Sequence, residues 1–107
     1  MNKYTIIKEV IKSTAYSFNV ELPLLYSNSN DIRIVACRKI IYYILNVYFN
    51  FTATEIAIGF KRNKRSINRQ IKQTIEELEF YTFILDRLNI IIRDLNSKIL
   101  YFKELNI

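Results

Sequence analysis

A 107-residue chain with one glycine, Gly59, and one proline, Pro23, holds almost none of the residues that let a backbone reverse tightly. β-Rich folds need such reversals at short intervals, and disordered segments are usually rich in them. Half of the residues are hydrophobic, so the expected fold class is all-α: a single compact domain of about five to six helices with short connections, long enough for one core and no second one.

The charge is as localised as the turn residues are scarce. Residues 61–72 hold six of the sixteen basic residues and no acidic one, leaving ten basic against ten acidic elsewhere, so the net charge of +6 belongs to this stretch. The same stretch reads as the start of a helix. Asn63 is a good N-cap, able to accept from an otherwise unpaired first-turn N–H. Ile67, Ile71, Ile75 and Leu78 form one apolar stripe, while Lys64, Arg65, Asn68, Arg69 and Lys72 project along a different face.

Around this element the periodicity places the other helices. A first amphipathic helix runs from Tyr4 to about Phe18 with Ile6, Ile7, Val10, Ile11 and Ala15 inward. A short turn of helix fits Glu21–Tyr26, with Pro23 near its beginning. After a polar loop, Ser27-Asn28-Ser29-Asn30, Asn30 or Asp31 can cap a helix from Ile32 to about Phe49, apolar on several sides and therefore central. Thr52-Ala53-Thr54-Glu55 is a capping box that opens a short helix ending near Gly59. Only Lys61-Arg62-Asn63 separates it from the basic helix, which is the helix-turn-helix arrangement. Phe80, Phe83, Ile84, Leu88, Ile91 and Leu95 then mark the clearest amphipathic helix, and Asn96–Ile107 either extends it or folds back.

Several functions are disfavoured. The chain has no His, so it lacks the usual general base and any imidazole metal ligand, and its single cysteine, Cys37, cannot make a structural zinc site. No enzyme activity and no cofactor are expected; Cys37 is read as a small buried hydrophobe in a reducing compartment. Residues 40–60 carry one charge between basic flanks, yet Asn46, Asn50, Thr52, Thr54 and Glu55 interrupt them, so no membrane partner is expected. Tyr42, Tyr43 and Tyr48 are read as core packing rather than base stacking.

Three segments, Ala36 to Leu45, Thr52 to Ala57 and Phe60 to Ile67, resemble the C-terminal DNA-binding domain of the bacterial replication initiator DnaA. There an Ala-Arg-Gln start to a long apolar helix precedes a Ser-Leu-Pro-Glu-Ile-Gly helix and a Phe-Gly-Arg-Asp-His-Thr-Thr-Val entry to the recognition helix. The resemblance covers roughly residues 6–95 and implies a Trp-repressor-like fold. It places Arg38 where the family inserts an arginine into the minor groove, Arg62 at the basic position of the turn, and Asn63, Lys64, Arg65 and Ser66 on the positions that read bases or hold phosphates. Lys64 and Arg65 replace His and Thr, Ala57 replaces a Gly, and the family's basic loop is here Asn28-Ser29-Asn30-Asp31. The usual initiator box is therefore not the expected target, and a chain with one glycine holds no Walker loop for ATP.

The expectation is a stand-alone initiator-like domain over residues 1–95 with an apolar extension over 96–107. It would bind double-stranded DNA in replication control or transcription regulation, in the cytoplasm on the nucleoid, or in the host cytoplasm if phage-encoded. The expected contacts are Arg38, Lys61, Arg62, Asn63, Lys64, Arg65, Ser66, Asn68, Arg69 and Lys72. A homo-oligomer through the C-terminal extension is a possible assembly. The alternative is a protein-interaction module that has lost base reading and binds a replication protein or self-assembles.

Overall fold

Asn2 opens the first helix, α1 (Lys3–Phe18), by accepting from the Thr5 N–H at 2.8 Å. Asn19 closes it in the left-handed conformation, which lets Val20 N–H reach back to the Ala15 carbonyl. The computed structural model describes residues 2–105, with side chains as far as Lys98. Short α2 (Leu22–Leu25) follows, with Pro23 in its first turn, where the missing N–H costs nothing. Asp31 then caps α3 (Ile32–Tyr43) by accepting from Arg33 N–H and Ile34 N–H. No strand occurs among the described residues, and the protein is a small all-α domain.

Helix α3 is central, as its all-round apolar pattern implies. It buries Ile34, Cys37, Ile40, Ile41 and Tyr42, and it packs against both α1 and α5. Its end differs from the expectation of one α-helix to Phe49. The chain widens into a π-helical turn over Ile44–Tyr48, with Ile44 and Leu45 buried. The widened turn leaves the Leu45 carbonyl to accept from Phe51 N–H at 3.0 Å, and the Asn46 amide donates to the Phe51 carbonyl at 2.8 Å. Asn50, at φ 60°, makes the reversal. Of the three tyrosines read as core, Tyr42 is fully buried and sits edge-on to Phe60 at 5.1 Å, Tyr43 is half-buried, and Tyr48 is exposed.

The capping box forms as expected. Thr52 and Glu55 exchange hydrogen bonds at 3.0 and 3.1 Å and start α4 (Ala53–Phe60). Gly59, expected near the break, is instead an ordinary helical residue; Lys61 takes the left-handed role at φ 53°, ψ 48°. Helix α5 (Lys64–Phe80) follows, and Tyr81, in extended conformation, separates it from α6 (Thr82–Leu105). In α5 the buried stripe is Ile67, Ile71 and Thr74, with Leu78 half-buried; Ile75 points outward, because Thr74 lies closer to the line that faces α3.

In α6 the expected stripe is correct from Ile84 onward. Leu88, Ile91 and Leu95 are buried, and truncating one of them to Ala would cost about 2 to 5 kcal/mol. Phe80 and Phe83 are exposed instead, since the break at Tyr81 removes Phe80 from this helix and turns Phe83 away from the core. The backbone continues helical across Asn96 to Leu105, so the C-terminal segment extends α6. The side chains of Ile99, Leu100, Phe102 and Leu105 lie outside the described residues. Among the described residues, no helix is long and apolar enough to cross a membrane.

Candidate nucleic-acid interface

The connection between α4 and α5 is short because each end is locally satisfied. Lys61 N–H and Arg62 N–H bond the carbonyls of Ile58 and Ala57, completing the C-terminal cap of α4. Two residues later the Asn63 side chain accepts from Arg65 N–H at 2.7 Å and starts α5. Burial of Ile56, Ala57 and Phe60 on one side and of Ile67 and Ile71 on the other fixes the two helices against each other.

This geometry leaves Lys64, Arg65, Asn68, Arg69 and Lys72 exposed along one face of α5, with Lys61 exposed at its entrance. Among the described residues no carboxylate lies within ion-pair distance of any of these cations. The ion pairs that do form use Lys3, Lys39 and Lys98. Glu55, the acid that precedes the basic stretch, is bound by Lys3 at 2.7 Å, and that bond, joined by the Thr52 backbone N–H, holds its carboxyl at about 2, while Glu76 stands four residues beyond Lys72 with no ion pair to it. The start of α5 therefore presents uncompensated positive charge together with the N-terminal end of its helix dipole.

The remaining expected contacts are partly committed elsewhere. Asn63 uses its oxygen on its own helix, and the half-buried Ser66 hydroxyl accepts from Gln70 at 3.0 Å and Arg69 at 3.5 Å. Arg62 is half-buried and donates to the Ser27 carbonyl at 2.5 Å.

Arg38, expected in the minor groove, is a clear correction. Its side chain is only 5% exposed. Nε donates to Leu25 O at 2.9 Å, Nη1 to Ser29 O at 2.8 Å, and Nη2 to both Leu24 O and Ser27 O. Burial, and next the positive charge of Arg62, pulls its pKa below the ordinary arginine value. It is the clasp of the loop between α2 and α3. Sequence alone could not show this, because its four acceptors are main-chain carbonyls, which carry no residue signature.

Sequence reasoning also missed what lies beside the basic face. Tyr26, stacked on Phe60 with centroids 5.3 Å apart, joins Asn28, Lys61 and Arg62 around an open cleft of about 380 Å³. The loop clasped by Arg38 brings Asn28 there, a long-range effect with no local pattern. The chain matches no protein-family model and no curated protein.

Proposed function

We propose that this domain binds double-stranded DNA by seating the first turns of α5 in the major groove, as an initiator-like helix-turn-helix protein of replication control or transcription regulation. The observation that carries the reading is the exposed row Lys64, Arg65, Asn68, Arg69 and Lys72, whose cations have no acid in reach among the described residues. A solvated structural helix usually intersperses carboxylates along such a face. Here the exposed polar group among the cations is Asn68, whose amide pairs with base edges as well as with water, and the first acid, Glu76, comes a turn beyond Lys72. On this reading the exposed Lys61, at the turn, would meet a phosphate flanking the groove, with Arg62, held by Ser27, contributing its charge behind it.

Binding of mixed genomic fragments, followed by gel shift across a salt series, tests the proposal. With about four to six phosphates neutralised, log K is expected to fall against log salt with a slope of roughly −4 to −5. No shift at low salt, or a slope near zero, would overturn it.

A further inference from the structure

The corner where α5 meets α6 carries apolar side chains that the core does not use. Phe83 is 68% exposed, Ile90 60%, Tyr81 51%, and Ile32, at the start of α3, 88%. They are contiguous. Ile32 and Phe83 line a cleft of about 240 Å³ between α3, α5 and α6, floored by Ile40, Thr74 and Ile84. Phe83 also walls the adjoining hollow that Asp86, Arg87 and Ile90 complete, and Tyr81 rests against it with ring centroids 5.9 Å apart. Phe83 thus stands as a ridge between two concavities.

We propose that this face pairs with a second copy of the same chain, the Phe83 ring of each protomer entering the other's cleft. A knob beside a hole on one surface is what a two-fold, self-complementary contact requires. The charges agree. Lys39 and Glu77, at the cleft rim, already pair with each other. Asp86 and Arg87, on the second hollow, are of opposite sign, and Arg87 is held within the chain, its Nη1 donating to the Ser17 carbonyl at 2.6 Å. The face is electrically balanced, unlike the basic face of α5, so it repels neither a second copy nor attracts nucleic acid. Its four apolar side chains expose on the order of 500 Å². With the polar rim this approaches the ~800 Å² that each partner contributes to a standard interface, which fits a weak, concentration-dependent dimer.

The experiment is light scattering on the full chain, without DNA, from about 1 to about 500 µM. The mass is expected to rise from the monomer's 12.8 kDa toward twice that value. Phe83→Lys and Ile90→Glu, both at exposed positions, are expected to hold the mass at the monomer value, while Ile58→Lys on α4 leaves dimerisation unchanged. Circular dichroism checks the fold, and whichever of the two α6 variants is folded decides the matter. A wild-type chain that stays monomeric throughout, or a dimer that survives both α6 substitutions, overturns the proposal.

Discussion

The guanidinium groups of Arg38 and Arg62 converge on one acceptor, the carbonyl oxygen of Ser27, at 2.6 and 2.5 Å. Two cations sharing a main-chain oxygen tie the loop after α2 both to the central helix and to the turn ahead of α5. The turn is thereby anchored at a point remote in sequence.

Removing the buried partner should be costly. Arg38→Met strands the Leu25 and Ser29 carbonyls, while Leu24 O and Ser27 O keep donors in the Ser27 hydroxyl and Arg62, and Arg38→Lys cannot replace a planar fork with four acceptors. Either change is expected to lower stability by about 2 to 4 kcal/mol in urea denaturation. The melting temperature should fall by about 10 °C or more. DNA affinity per folded molecule should be unchanged, and a selective loss of affinity in a fully stable Arg38→Lys would restore the minor-groove role.

The Lys3–Glu55 bond sets an acid limit. The Glu55 carboxyl is depressed from 4.5 to about 2, first by the hydrogen bond from Lys3 and then by the Thr52 backbone. A depressed acid stabilises the folded state above its unfolded pKa, and that contribution is lost as pH falls from about 4.5 toward 2. Glu55→Gln should therefore unfold with a shallower pH dependence in this window and match the wild type's pH dependence near neutrality. Urea midpoints at a series of pH values check this; identical acid limbs for both proteins would show that the bond contributes nothing.

Gly59 is helical at a spot where an added Cβ would meet nothing within 4 Å. Gly59→Ala is expected to stabilise the domain by about 0.5 to 1 kcal/mol, since the alanine leaves the unfolded chain fewer states to lose. A lower thermal midpoint would mean that α4 needs this glycine for a reason other than its own backbone.

What could be read in advance followed from local chemistry. Asn63 and the Thr52/Glu55 box announce helix starts because their partners lie two or three residues away, and Leu88, Ile91 and Leu95 announce a core face because helical spacing aligns them. The π-helical turn after Tyr43, the Arg38 clasp and the outward turn of Phe83 depend on where distant segments come to rest. Burial of Thr74 in place of Ile75 follows the direction of α3, not polarity. The basic face was legible as composition; that Arg62 and Ser66 are partly committed was not.

Within that face, Arg65 and Lys72 should part company. Arg65 lies in the first turn of α5 and can present a fork to O6 and N7 of guanine, whereas Lys72, two turns on, offers a point charge. Arg65→Ala is expected to cost about 1 to 3 kcal/mol on the preferred site and to flatten sequence preference. Lys72→Ala should weaken all sequences alike and make the salt slope shallower by about one unit. Equal losses on preferred and random DNA for Arg65→Ala would make α5 an electrostatic clamp.

Among the described residues three other than glycine adopt positive φ, and two of them, Asn19 and Asn50, are of the kind that tolerates it. Lys61 is not, and it stands at the hinge of the helix pair. A glycine there would relax the backbone by on the order of 1 kcal/mol and delete a cation from the mouth of the interface. Lys61→Gly should accordingly melt higher and, on the proposed function, bind DNA more weakly, so that one substitution separates the backbone's preference at this position from the charge its side chain carries.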